Sequence, residues 1–162
     1  MFDFEFCIDT GDSKAVCCRH TSYNIHERKI MDKHIQILQA NDYICDCDSP
    51  WGSLILLAPK PHQESCNNIQ DLFWRLCISY CSLNGVTESF EFPIPRCTDS
   101  IENFGDFSGR MYFISLDARS GCHQIRVRKC NQEKLALFTP NGTKKTFKVT
   151  PFGPKMHLHF IL

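Results

Sequence analysis

The chain has 162 residues, 43% of them hydrophobic and 22% charged, with a formal net charge of zero. That length supports one domain with a real core, and no apolar run is long enough to span a membrane. The N-terminus is acidic and aromatic, unlike a secretory signal, and the cysteines number eleven, which is odd; together these argue against a disulfide framework and for free thiols inside a cell.

Phe2, Phe4 and Phe6 alternate with Asp3, Glu5 and Cys7, a period of two that predicts a short strand. Asp9-Thr10-Gly11 follows. Asn24 predicts the cap of a helix running to about Ala40. Ile30, Met31, Ile35 and Leu38 form its apolar stripe, with Ile37 and His34 at the edge. Residues 41–53 read as a turn-rich loop in which Pro50 fixes the backbone and Trp51 can pack on the helix. Leu54–Leu57 reads as a buried strand ended by Pro59, and Phe73–Tyr80 as a second strand. The spacing predicts an antiparallel hairpin with a long polar loop at 61–71.

Residues 88–95 read as extended and 98–104 as a helical turn. Tyr112, Phe113, Ile114 and Leu116 predict a buried strand that ends on Asp117, followed by the turn Arg119-Ser120-Gly121. Further strands are expected at 124–129, 135–139 and 144–150, the last two joined by the turn Pro140-Asn141-Gly142.

From Ala118 to Thr150 there are eight Lys or Arg against one acid, Glu133, while the first thirteen residues carry four acids and no base. A basic C-terminal third is what a phosphate-facing surface needs, and it is also what a solvated face looks like. No two cysteines have C-x2-C spacing. Cys17-Cys18-Arg19-His20 and His157-Leu-His159 each lack the second half of a metal site. A carboxylate held at a strand end, as expected for Asp117, suits a metal ligand, and the amides of the glycine turn after it can cradle phosphates. The alternative is that Asp117 merely ends a strand and solvates a turn.

Several stretches, taken in order, carry a resemblance. They are Asp48-Ser-Pro-Trp-Gly-Ser53; Trp74-Arg-Leu-Cys-Ile-Ser-Tyr80 with Leu83-Asn84 and Val86-Thr87; Phe92-Pro-Ile-Pro95; Phe113–Ile125; and Pro151-Phe-Gly153. Over roughly residues 7 to 154 the chain resembles the reverse transcriptases of gypsy-type LTR retrotransposons. The resemblance implies an α+β fold, the fingers and part of the palm of a right-hand polymerase, truncated. Residues of about 1–88 and 125–154 would belong to the fingers, about 89–124 to a palm segment, and 155–162 to a divergent tail.

It also implies RNA-directed DNA synthesis, with a template–primer of RNA or DNA and a deoxynucleoside triphosphate as partners. Two divalent ions, Mg2+ or Mn2+, serve such chemistry. By the same resemblance Asp117 is the catalytic, metal-binding carboxylate. Lys60 and Arg75 clamp the triphosphate, and Ser120, Gly121, Cys122 and Phe152 line the nucleotide. Trp74, Tyr80, Asn84 and Gly153 belong to template-holding or structural motifs.

Departures are several. Cys122 stands where the family has a bulky aromatic that excludes ribonucleotides. Cys81 replaces an arginine and Ser79 a common aspartate. The Asn-Ala-Pro turn expected after Gly153 is missing, as is the second metal motif, Tyr-x-Asp-Asp; no aspartate follows Asp117. A catalytically inactive, nucleic-acid-binding remnant is therefore an alternative. An aspartic protease built on Asp9-Thr10-Gly11 is another, and would need a second such turn or a dimer.

Overall fold

The computed structural model describes residues 5–19, 21–59, 74–89, 111, 112, 114 and 116–155. Lys60, the 61–71 loop, Phe92–Pro95, the 98–104 turn, His20, His157 and His159 lie outside the described residues.

The first strand, β1 (Glu5–Phe6), is where the phenylalanine alternation placed it. Phe6, Ile8 and Thr10 are buried while Glu5 and Asp9 are exposed, so the period of two continues past the strand. Helix α1 (Ile25–Ala40) matches its expected bounds. The Asn24 side chain accepts from the Glu27 amide at 2.8 Å, and Glu27 accepts from the Asn24 amide at 3.0 Å. This reciprocal pair satisfies two amides that have no partner inside the helix. Ile30, Met31 and Ile35 are buried, and Ile37 is exposed. Asn24→Ala is expected to cost about 1 kcal/mol, seen as a fall in Tm of about 2–4 °C.

Strands β3 (Leu54–Pro59) and β4 (Trp74–Ser79) form the expected antiparallel hairpin, registered from Leu54 opposite Ser79 to Pro59 opposite Trp74. Ile55 is buried whereas Leu56 is half exposed, so β3 buries alternate residues rather than the whole run. Helix α2 (Cys81–Val86), which sequence reading did not place, follows β4 directly.

Three further expectations are corrected. The loop expected at 41–53 contains a strand, β2 (Ile44–Asp46), paired antiparallel with the last strand. The two strand runs expected at 124–129 and 135–139 shrink to β5 (Arg126–Val127) and β6 (Leu137–Phe138). Between them lie a helical turn, α3 (Lys129–Gln132), and a 3-10 turn, Glu133–Leu135. Finally, the buried strand expected at 112–117 is not strand among the described residues: Tyr112, Ile114 and Leu116 are 87–92% exposed. A strand needs a neighbour for its amides and carbonyls. Each described strand pairs with another described strand.

Strand β7 (Lys144–Phe147) is the centre of a sheet ordered β2–β7–β6. The turn joining β6 to β7 uses Gly142 at φ +82°, a left-handed conformation that favours glycine. Strand β1 pairs in parallel with β5, Phe6 opposite Val127. Beyond β1 the Asn131 side chain takes over the pairing: it accepts from the Ile8 amide at 3.2 Å and donates to the Ile8 carbonyl at 3.1 Å.

The Ser49–Ser53 stretch ties the hairpin to the sheet. Ser49 Oγ donates to the Glu133 carbonyl and accepts from the Trp51 amide, and Trp51 is buried. Ser53 exchanges backbone bonds with Ala136 and Phe138. A Cβ on Gly52 would sit 2.6 Å from the Phe138 ring and 2.9 Å from Cys17 Sγ, so only glycine fits this crossing. One core collects Phe6, Met31, Ile35, Ile44, Trp51, Ile55, Tyr80, Val127, Leu137 and Phe147. Among the described residues no helix is long and apolar enough to cross a membrane.

Candidate functional site

The candidate site lies where the Ile125–Val127 stretch pairs with Lys148–Thr150. Thr150 donates to the Ile125 carbonyl from both its amide (2.9 Å) and its hydroxyl (3.1 Å). Both chain segments turn at this end of the pairing, so two loops far apart in sequence meet.

The first loop follows Asp117. Ser120 adopts φ 51°, ψ 43°, and a single 3-10 turn, Gly121–Gln124, begins after it. The His123 amide bonds the Ser120 carbonyl at 2.9 Å, and Gln124 Nε2 reaches back to the Arg119 carbonyl at 2.9 Å. Cys122 is buried, 4% exposed, and burial pushes its thiol up from the ordinary thiol value.

The second loop is Pro151-Phe152-Gly153. Gly153 has φ +110°, and a Cβ there would lie 3.4 Å from the Tyr80 ring. Asn84, on α2, grips the loop twice: Nδ2 donates to the Gly153 carbonyl at 2.9 Å, and Oδ1 accepts from the Lys155 amide at 2.8 Å. Tyr80 is fully buried beneath, its hydroxyl donating to the Leu135 carbonyl at 3.3 Å. Phe152 is 62% exposed.

His123 joins the two loops. Its Nδ1 lies 3.1 Å from the Thr150 carbonyl. A carbonyl only accepts, so Nδ1 carries the hydrogen. Its ring is 4.9 Å from the Tyr43 ring and T-shaped to Phe152 at 5.7 Å. His123 lies in the Phe113–Ile125 stretch of the resemblance, but nothing in the sequence assigns it a role, because its side-chain partners are 27 and more residues away.

Of the residues expected at a site, the structure thus gathers Ser120, Gly121, Cys122, Phe152, Gly153, Tyr80 and Asn84 around these loops. Asp117 and Arg75 are exposed, Asp117 ahead of the first loop and Arg75 on β4 opposite Ala58. Trp74 begins β4, half buried. Arg75 lies three residues from Ile78, the β4 residue whose carbonyl faces Gly153, about 10 Å along the strand. Asp9-Thr10-Gly11 is a turn in which Asp9 accepts from the Gly11 amide at 2.9 Å. Its Asp9 carbonyl also accepts from the Glu88 amide, which ties the turn to the end of α2.

The basic C-terminal third is less available than its count suggests. Lys145 and Lys148 pair with Asp46 and Asp42, each at 2.5 Å, and Arg128 lies 3.6 Å from Glu5. Hydrogen bonding to Asp42 raises the Lys148 pKa. Lys134 donates to the Ile8 carbonyl, and Lys144 to the Ser49 carbonyl while lying over the Phe138 ring. Arg119, Arg126 and Lys129 are exposed. Nine described cysteines, among them Cys17, Cys18, Cys45 and Cys47, are free thiols. Among the described residues no group of three or more His, Cys, Asp or Glu side chains is arranged to hold a metal ion.

The structure defines a mixed α/β domain with two loops locked together by side-chain hydrogen bonds. Comparison with known proteins supplies the family. The retrovirus-related Pol polyprotein from transposon opus of Drosophila melanogaster is 28% identical over 148 residues, 91% of this chain and 14% of that protein. The Pol polyprotein from transposon 412 of the same organism is 34% identical over 108 residues, 67% of this chain and 8% of that protein. An RNA-directed DNA polymerase homolog of Oenothera berteroana is 36% identical over 83 residues, 51% of this chain and 56% of that protein. No protein-family model matches. The chain belongs with the retrovirus-related Pol polyproteins of gypsy-type retrotransposons and corresponds to a short segment of them.

Proposed function

We propose that this segment supplies the fingers and part of the palm of an RNA-directed DNA polymerase, working inside the cell on a template–primer of RNA or DNA. One observation carries the reading. Tyr80 and Asn84 from one stretch of the resemblance and Pro151-Phe152-Gly153 from another, separated by up to 73 residues, meet as one hydrogen-bonded unit beside the turn after Asp117. The relatives are Pol polyproteins and a polymerase homolog, which points the same way.

In this reading Arg75 and Lys60 hold the triphosphate. Arg75 offers a planar fork of donors and Lys60 a point charge. The Ser120 and Gly121 amides face its phosphates, Phe152 meets the base or sugar, and Trp74 supports the strand that carries Arg75. Mg2+ or Mn2+ would supply charge neutralisation in the whole enzyme. The described residues do not fit that role unaided: Asp117 is a single exposed carboxylate, outside any ligand cluster. Its part is to lend one carboxylate to a site completed elsewhere.

Binding of a fluorescent primer–template, followed by anisotropy, tests the reading. If Arg75, Arg119, Arg126 and Lys129 meet phosphates, affinity should fall about a hundredfold between about 50 and 200 mM salt, because each neutralised phosphate releases counterions. Affinity that ignores salt over that range would overturn it.

A further inference from the structure

We propose that His123 and Asn84 are positioning residues that aim Phe152 as a stacking surface for a planar heteroaromatic ring. The inference deepens the polymerase reading and rests on it for the ligand's identity, a nucleobase; the mechanical part stands on geometry alone.

Phe152 is a large apolar side chain left 62% exposed on a loop of three residues. A ring on so short a loop would ordinarily sample many orientations. Here the backbone on both sides of it is fixed. Upstream, the Thr150 carbonyl receives the His123 Nδ1 hydrogen at 3.1 Å while the Thr150 amide bonds Ile125. Downstream, Asn84 holds both the Gly153 carbonyl and the Lys155 amide, as the edge of a strand would. Gly153 adopts φ +110° over the buried Tyr80 ring, so the loop is seated on the core rather than arching into solvent.

The His123 ring then acts on Phe152 directly. It stands T-shaped to Phe152 at 5.7 Å and is backed by Tyr43 at 4.9 Å, which limits its own rotation. Aromatic pairs favour this arrangement. The row of Tyr43, His123 and Phe152 therefore includes a ring that stays 62% exposed while its tilt is set by His123. Fixing a side chain before binding removes the ordering cost a ligand would otherwise meet, and stacking on an aromatic face tolerates any base. His123 also makes the coupling to the first loop. It is part of the 3-10 turn that begins at Gly121, so a shift of the Ser120-Gly121 turn must move the ring that orients Phe152.

The test places 4-trifluoromethylphenylalanine at position 152 of the 162-residue chain and follows its fluorine resonance, with dATP as the probe. The parent protein should give one sharp resonance that moves on adding dATP. His123→Ala and Asn84→Ala should broaden or split it and weaken dATP binding by about tenfold. Milder variants guard against unfolding. His123→Phe keeps a ring and loses the Nδ1 donor; Asn84→Asp keeps the acceptor for Lys155 and loses the donor to Gly153. Both should give the same change in smaller measure, at an unaltered far-ultraviolet spectrum. A resonance that stays sharp and unshifted in all four variants overturns the proposal. A resonance that responds to the variants but never to dATP supports the positioning role and instead rejects the nucleotide reading.

Discussion

Replacing Tyr80 with alanine is expected to cost about 3–5 kcal/mol, a large part of the roughly 5–15 kcal/mol that holds a domain folded. Tyr80 is among the largest fully buried side chains, and it links elements that sequence keeps apart. It joins β4 to α2, lies under Gly153, and bonds the Leu135 carbonyl in the turn before β6. Truncation opens a cavity beneath the Phe152 loop and leaves a buried carbonyl without its donor. Tyr80→Phe keeps the packing and removes only the hydroxyl, a loss of about 1 kcal/mol.

Both variants also differ from the parent at high pH. Burial pushes the Tyr80 phenol well above its ordinary value, 10.0. The folded protein then keeps this proton at a pH where the unfolded chain has released it, so the unfolded state binds fewer protons and stability falls as pH rises. The contribution is intact below about pH 10 and is lost above it. Burial pushes Tyr23, Cys47 and Cys122 in the same direction. Tyr80→Phe should therefore flatten, though not abolish, the alkaline loss of stability in urea titrations. An alkaline limb as steep as the parent's would contradict the assignment.

What could be read from the sequence was local. Asn24, a capping residue, marked the start of α1 correctly, and its reciprocal bond with Glu27 emerged only in the structure. The apolar run Leu54–Leu57, the proline after it and the spacing to the next strand marked the β3–β4 hairpin. By contrast β2 is three residues long, and its pairing with β7 spans about a hundred residues of sequence, so the turn-forming residues around it dominated the reading. At 112–117 the residues have strong strand preference, yet preference supplies no partner, and the described segment is exposed. Charge misled for a similar reason. Lys134, Lys144, Lys145 and Lys148 look like phosphate ligands in a count, but their partners, Ile8, Ser49, Asp46 and Asp42, lie far off in the sequence. The motif residues Tyr80, Asn84, Phe152 and Gly153 stand out in the sequence itself. The bonds among them, and the place of His123, depend on tertiary contacts that no local pattern encodes.

The 162-residue chain, assayed by itself, is expected to give no primer extension above a no-enzyme control with a primed homopolymer template and either Mg2+ or Mn2+. Two ions at bridging distance must be held by more than one carboxylate, since the transferred phosphoryl group and the attacking hydroxyl each need a counter-charge. Asp117 provides one. The only later acid is Glu133, in the 3-10 turn before β6. Asp9 serves its own turn, and Asp42 and Asp46 are committed to Lys148 and Lys145. Asp9, Asp42 and Asp46 are thus already partnered, and among the described residues no group of three or more such side chains is arranged to hold a metal ion. Nucleic-acid binding and nucleotide stacking on Phe152 do not require those ions, so both should survive in the same preparation and in Asp117→Asn. Reproducible extension that Asp117→Asn abolishes would prove the carboxylate argument wrong, because it would mean that this chain alone assembles a working metal pair.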